Sequence, residues 1–174
     1  MPRHEINVCD ADCLINLHRH FGRKAISALR RCGKAGELKL PEGVIRELLQ
    51  STGSLARFVR DKRQDMEVAS RQFPALHPEI LRLERLYGEK IRVGTQEHAG
   101  FWRSKAGRRA ADAQVVAVAK LLKGVAVSDD GAVKLACALE GVLCIGWSEF
   151  ARRLGLIKPE QLSLNLDGGA GGGV

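Results

Sequence analysis

Two short apolar runs in this chain end in pairs of acidic residues, and helical spacing resumes directly behind each pair. Residues 6–9 run into Asp10 and Asp12, and residues 125–127 run through a serine into Asp129 and Asp130. Short buried-type strands that alternate with helices predict a parallel sheet with helices packed on both of its faces. We therefore expect an α/β fold in which both acidic pairs follow strands.

The remaining elements follow from apolar periodicity and from glycine and proline positions. We predict strands at residues 38–40 and 142–145, and helices at residues 23–31, 110–122, 132–139 and 147–154. Residues 53–90 are highly charged and broken by two prolines, which predicts an inserted segment of two or three amphipathic helices. Residues 94–107 read as a loop. One domain would span residues 1–165, followed by a Gly-rich disordered tail at 166–174.

Composition narrows the function classes. Twenty-eight Lys and Arg against twenty Asp and Glu leave a net charge of +8, which favours a polyanionic partner but is equally typical of simple solubility. No apolar run is long enough for a membrane span, and no apolar leader follows Met1, so we expect a cytoplasmic protein with no membrane contact. The five cysteines lack paired C-x-x-C spacing and are expected to be reduced core residues.

The acidic residues are the strongest functional signal in the sequence. Ligands of open parallel sheets bind outside the carboxyl ends of the strands, so both acidic pairs should reach one crevice. Crowded carboxylates repel one another unless a cation offsets their charge. Oxygen ligands without a His or Cys set favour Mg²⁺ or Mn²⁺ over zinc. Taken singly, Asp112 would be a helix cap and Glu47 a solvated glutamate on an amphipathic helix.

Four segments between residues 5 and 157 resemble, in order, the motifs of the PIN-domain nuclease family. Residues 6–15 resemble the opening strand with its first catalytic aspartate, at Asp10, and residues 40–49 resemble the segment that carries a metal-site glutamate, at Glu47. Residues 110–119 resemble the Ala-rich helix headed by an aspartate, Asp112. Residues 127–130 resemble the last motif, in which Asp130 takes the aspartate position and Asp129 replaces the commoner asparagine.

The resemblance implies a three-layer α/β/α sandwich and metal-dependent endonucleolytic cleavage of RNA. Asp10, Glu47 and Asp112 would hold Mg²⁺ or Mn²⁺, while Asp129 or Asp130 would hold a second ion or orient the attacking water. It also implies a toxin of a type II toxin–antitoxin pair, whose antitoxin peptide covers the crevice and meets the carboxylates with an arginine. A homodimer stays open. The departures from the family are Asp12, in place of the commoner Ser or Asn, and the extra length of residues 53–90.

A basic and aromatic segment precedes Asp112 and is our candidate for nucleic-acid contact. Cationic side chains there would offset phosphate charge, and an aromatic ring, Phe101 or Trp102, would stack an unpaired base. The alternative is a solvated basic loop whose tryptophan anchors the core. The predicted RNA-binding residues are Asp12, Trp102, Arg103, Lys105, Arg108 and Arg109.

Two rival functions remain at this point. Asp10 and Asp12 after a strand also fit the nucleophile and acid of a haloacid-dehalogenase-type phosphohydrolase. That family usually has Thr or Val where this chain has Leu14, and its fixed lysine has no clear counterpart here. The other rival is a PIN-like module that binds RNA or protein without catalysis.

Overall fold

The computed structural model describes residues 5–103 and 111–158. Its strands, numbered in chain order, are β1 Asn7–Cys9, β2 Leu38–Pro41, β3 Glu67–Val68, β4 Lys90–Val93, β5 Gln96–Ala99, β6 Val125–Val127 and β7 Cys144–Ile145. Its helices are α1 Ala11–Phe21, α2 Arg23–Lys34, α3 Glu42–Leu48, α4 Ser54–Met66, α5 Leu76–Tyr87, α6 Asp112–Leu121, α7 Gly131–Glu140 and α8 Trp147–Arg153. Short 3₁₀ turns lie at Ser70–Gln72 and Phe101–Arg103.

Five strands form a parallel sheet in the order β3-β2-β1-β6-β7, with β1 in the centre. Every residue of β1 and of β6 is buried, which explains why both strands read as continuous apolar runs in the sequence. Cys9 lies opposite Val127 in the register of this central pair. The residues that follow the two strands therefore emerge side by side at the same edge of the sheet.

Two groups of helices cover the sheet and complete the expected three-layer α/β/α sandwich. In one group α1 packs against α2 and α8, and α2 packs against α4. In the other, α6 lies between α5 and α7 and contacts β1, β2 and β6. Residues 115–119 of α6 are all fully buried, as expected for a helix that is apolar on every side. The start of α6 is consequently fixed by the core.

The charged stretch at residues 53–90 contains the expected amphipathic helices, α4 and α5, and in addition a strand that the sequence did not predict. This strand, β3, pairs Glu67 with Leu40 and Val68 with Pro41 at the edge of the central sheet. Two residues are too few to show strand periodicity, so the pairing depends on α4 delivering the chain beside β2. The stretch thus contributes directly to the main sheet.

The prediction of a loop from residue 94 onward was wrong for strand β5, Gln96–Ala99, and for the 3₁₀ turn at Phe101–Arg103. Residues 90–99 form an antiparallel hairpin in which Val93 lies opposite Gln96, and the turn between them uses Gly94 at φ +61°. Lys90 and Arg92 bind Glu97 across the hairpin at 3.1 and 2.9 Å. Gln96, Glu97 and His98 are polar and Ala99 is exposed, so no apolar alternation marked β5. The predicted tail at 166–174 lies outside the described residues.

An ion-pair network ties together the three helices of the α5–α6–α7 group. The carboxylate of Glu140 on α7 accepts hydrogen bonds from Arg82 at 2.5 Å, Lys120 at 2.6 Å and the Tyr87 hydroxyl at 2.8 Å. Burial raises the pKa of Glu140, but these three donors outweigh burial and hold the pKa at about 2. The network fixes α6 relative to α7. These two helices begin at Asp112 and directly after Asp130.

None of the helices within residues 5–103 and 111–158 combines the length and the apolar character that a membrane crossing requires.

We expect Glu140→Gln to lower the free energy of unfolding by about 1–3 kcal/mol at pH 7, because a charged, largely buried acceptor is lost. The folded pKa lies below the unfolded one, so the stabilisation is present above about pH 4.5 and disappears as pH falls towards 2. Urea unfolding of both proteins at several pH values measures the difference. The matched control, Glu97→Gln in the exposed hairpin, should change little, and an equal effect of the two substitutions would contradict the network's role.

Candidate functional site

Asp10 is anchored at the carboxyl end of the central strand by neighbours from two elements. Its backbone N–H donates to the Val127 carbonyl at 3.0 Å, and its carboxylate caps α1 by accepting from the Cys13 N–H at 2.7 Å. The Ser128 hydroxyl donates to its other oxygen. Burial raises the pKa of Asp10, although the hydrogen bonds from Ser128 and Cys13 act in the opposite direction.

Ser128 connects the two acidic segments and is a site residue that the sequence analysis did not single out. It is fully buried, and its oxygen also accepts from the Asp130 N–H at 3.2 Å. One hydroxyl therefore bonds to Asp10 on one side and orients Asp130 on the other. The only signal in the sequence was a small polar residue between a buried strand and two acids, a pattern that does not reveal which carboxylate it meets.

Asp112 is the first residue of α6 and carries the clearest electrostatic signature of the site. Burial raises its pKa most, and nearby negative charges add to the effect, bringing the pKa to about 7. Those charges belong, in decreasing order, to Asp130, Asp10, Glu47 and Asp12. Carboxylates perturb one another in this way only at short range, so the structure brings acids from four segments into one crevice.

Glu47 reaches this crevice because α3 packs closely against the start of α6. The Gly43 N–H donates to the Gln114 side-chain oxygen at 2.9 Å, and a Cβ at Gly43 would stand 2.9 Å from that of Ala111. Glu47 lies at the rim, largely exposed. Partial burial, then Asp12 and Asp10, raises the pKa of its carboxyl. Glu47 is thus close enough to Asp12 and Asp10 for their charges to act on it, and its role as a metal ligand stays a prediction.

The two consecutive aspartates after β6 have different surroundings. Asp130 caps α7 with one carboxylate oxygen, which accepts from the Ala132 and Val133 N–H groups at 2.9 and 3.0 Å. Asp129 accepts from the Trp147 N–H at 3.0 Å, the first N–H of α8, and lies 3.5 Å from the Lys134 ammonium. Asp130 is the member of the pair whose charge acts on Asp112. Asp129 binds the start of α8 and also accepts from the Cys13 thiol at 3.7 Å, beside Asp10.

The aromatic residues ahead of α6 pack inward. Phe101 is 2% exposed and meets the Tyr87 ring edge-on with centroids 6.2 Å apart, so its proposed role in stacking a base is wrong. Trp102 is partly buried, and its ring lies so near Gly88 that a Cβ there would approach it to 2.6 Å. An RNA contact through Trp102 stays a prediction, beside its evident packing role.

Among the predicted cationic contacts, Arg103 is exposed and lines a groove that also contains Asp130 and Lys134. Lys105, Arg108 and Arg109 fall outside the described residues. The groove has a volume of about 560 Å³ and opens beside the acidic crevice. A cation-bordered path thus leads to the carboxylates.

The donor set fits a hard cation in its chemistry. Asp10, Glu47, Asp112 and Asp130 supply only oxygen, and Mg²⁺ usually retains several waters while binding few protein carboxylates. Within residues 5–103 and 111–158, no group of three or more His, Cys, Asp or Glu stands close enough to hold a metal directly. Water-mediated ligation, or a small inward movement of the acids, is what this spacing would require.

Comparisons with known proteins do not assign this chain to a family. No protein-family model matches the sequence, and no curated protein is significantly similar to it. The crystal structure of PAE2754 from Pyrobaculum aerophilum aligns with 90% of this chain and 100% of that chain, at 15% sequence identity and a TM-score of 0.49. A likeness of this extent assigns neither a family nor an activity.

We expect Asp112→Asn to stabilise the metal-free protein by about 2–4 kcal/mol at pH 8, because it removes a charge that burial and its neighbours disfavour. The folded pKa is raised, so the penalty is absent below about pH 4 and grows as pH rises towards 7. Unfolding in chelator at pH 4 and pH 8 tests this. Asp61→Asn, an exposed aspartate on α4, is the control, and equal stability changes at the two pH values would contradict the crowding of charge around Asp112.

Proposed function

We propose that this chain is an Mg²⁺- or Mn²⁺-dependent endoribonuclease. The observation that carries the proposal is the crowding of Asp10, Glu47, Asp112 and Asp130, in which burial first, and then the charges of the neighbouring acids, raise the pKa of Asp112 to about 7. A fold gains nothing in stability from such repulsion, so a site that keeps it is a candidate for chemistry that needs the charges. The resemblance of the four segments to PIN-domain motifs supports the same assignment.

Each acid has a role that its surroundings support. Asp10 is held by Ser128 and Cys13 and would be the fixed ligand at the base of the crevice. Asp112 and Glu47 would complete the oxygen donor set. A bound divalent ion would neutralise the scissile phosphate and lower the pKa of an attacking water. Asp130 uses one oxygen for the α7 cap, so its second oxygen can accept a proton from that water.

RNA as substrate fits the charge distribution. The chain carries a net charge of +8, yet its candidate site is acidic, so cations outside the crevice must attract the phosphate backbone. Arg103 and Lys134 border the groove that leads to Asp130 and are placed for that purpose. The choice of RNA over DNA comes from the family resemblance alone.

A phosphohydrolase that uses Asp10 as nucleophile is less well supported. Both oxygens of Asp10 already accept hydrogen bonds, from the Cys13 N–H and the Ser128 hydroxyl. Such bonds reduce the nucleophilicity of a carboxylate. Asp12 is exposed on α1, and its negative charge contributes to the raised pKa of Glu47 and of Asp112.

An antitoxin partner extends the proposal. A crevice lined by several carboxylates suits a peptide that inserts an arginine, because a guanidinium pairs with carboxylates through two hydrogen bonds. Such a peptide would compete with the metal ion for the same oxygens. We therefore place any inhibitory partner at the same crevice.

The purified chain should cleave single-stranded RNA in Mg²⁺ or Mn²⁺ and should stop doing so in chelator. Asp10→Asn and Asp112→Asn should each lower the cleavage rate by about 100-fold or more, since each removes a metal-site oxygen. Asp61→Asn on α4 should cleave at the wild-type rate. Gel analysis of end-labelled RNA measures this directly.

Cleavage that persists in chelator, or in both site variants, would exclude the proposed metal-assisted mechanism. RNA binding without cleavage in either metal would favour the non-catalytic module. A phosphorylated Asp10, trapped with a small phosphoester, would favour the phosphohydrolase.

The two consecutive aspartates should separate in function. Asp130→Asn should lose most cleavage, about as much as Asp112→Asn, because its carboxylate is the strongest charged neighbour of Asp112. Asp129→Asn should retain most cleavage but melt at a lower temperature, because it weakens the cap of α8 by about 1 kcal/mol. Cleavage rate and thermal unfolding of both variants distinguish them, and the reverse pattern would exchange the two roles.

A further inference from the structure

The groove beside the acidic crevice is built by two elements of the fold. One wall is the end of the β4–β5 hairpin and the 3₁₀ turn behind it, with His98, Ala99 and Arg103. The other wall is the first turns of α7, with Asp130, Lys134 and Leu135. Asp130 also belongs to the crevice, so the groove is continuous with the candidate site.

The side chains that line the groove are of the kinds that bind a nucleotide. Most of it is apolar, and its volume of about 560 Å³ falls within the roughly 300–1,000 Å³ typical of ligand pockets. Ala99 and Leu135 offer aliphatic surface, and the half-buried His98 offers a flat ring on which a base can stack. Arg103 and Lys134 supply positive charge at the same groove. Apolar surface, a ring and two cations together match a base with its phosphate.

The cations are available to a ligand. Arg103 has no ion pair with a carboxylate in the part of the chain that the structure describes, and its residue is exposed. Lys134 is 48% exposed and only 3.5 Å from Asp129, a loose surface pair of small net energy. A phosphate could therefore replace the carboxylate as the partner of Lys134 at little cost.

We propose that this groove is a nucleobase subsite, which holds one unpaired base of the RNA next to the phosphate that is cut. The base packs between the His98 ring and the aliphatic wall, and Arg103 with Lys134 binds the adjoining phosphate. The inference rests on the proposed ribonuclease function for its substrate. It adds that single-stranded RNA is preferred, because a base held in a helix cannot enter.

Binding of end-labelled single-stranded RNA hexamers, followed by fluorescence anisotropy in chelator, tests the subsite without relying on cleavage. Ala99→Leu fills the groove from an exposed strand position, and His98→Ala removes the ring. Each should weaken binding about tenfold, as expected for the loss of one stacked base. His98→Phe should restore binding. Gln96→Leu, which places the same leucine side chain in the same hairpin but outside the groove, should bind as wild type does.

Hexamers with one base removed at each position in turn identify the nucleotide. At one position, removal of the base should lower the affinity of the wild-type protein for the hexamer about tenfold. The Ala99→Leu variant should bind this abasic hexamer as tightly as the wild-type protein does, because the contact with the base is already absent. In a plot of the logarithm of the binding constant against the logarithm of salt concentration, Arg103→Gln should reduce the slope by the amount expected for the loss of about one phosphate contact. Equal binding by Ala99→Leu, Gln96→Leu and wild type, or no RNA binding at all, would overturn the subsite.

Cleavage of the same RNAs in Mn²⁺ separates this inference from the proposed function. If metal-dependent cleavage is unchanged by Ala99→Leu, by His98→Ala and by every abasic position, the subsite is overturned and the proposed ribonuclease function stands. If binding depends on which base is removed but no RNA is cleaved, the result supports the subsite and contradicts the proposed ribonuclease function.

Discussion

Repulsion among carboxylates at one edge of the sheet is the constraint to which the rest of the structure responds. Burial, and then the negative charges of four carboxylates from other segments, raise the pKa of Asp112 to about 7. The fold must hold these charges together against their mutual repulsion. The fully buried strands β1 and β6 supply the rigidity, since they fix the two acidic turns in register. Ser128 then links the turns through a single hydroxyl.

The surrounding helices make that arrangement specific. The start of α6 is held by α3 through Gln114, and its far end is held by the ion pairs around Glu140. Asp129 accepts from the first N–H of α8 and from the Cys13 thiol, and Asp130 is the aspartate of the pair whose charge acts on Asp112. Attractive contacts that lie outside the crevice thus balance the unfavourable charge within it, a pattern expected at functional sites.

Much of the fold could be predicted from the sequence because the central strands are buried on both faces and therefore read as apolar runs. The edge positions of Asp10 and Asp130 followed from parallel topology. Strand β3 could not be predicted, because two residues carry no periodicity. Strand β5 could not be predicted either, because it has no buried apolar residue. The burial of Phe101 depends on its contact with Tyr87, which no local pattern encodes.

The sequence was sufficient to predict which acids form the candidate site but not how their side chains are arranged. Nothing in the order of residues 127–130 distinguishes Asp129 from Asp130, since the difference comes from where α8 begins. The dual bonding of Ser128 likewise depends on the distance between side chains from two strands. Motif spacing identifies the ligand candidates, and tertiary packing decides which of them meet.

The close approach of α3 to α6 has a consequence for how such a site can change over time. Position 43 holds glycine where any side chain would collide with Ala111 and Gln114, so the separation of these helices is set by a residue that takes no part in chemistry. A descendant of this protein could keep all its acids and still lose their convergence through a single exchange there. A comparison that checks only whether the catalytic side chains are present would then judge the site intact, although the acids no longer lie close together.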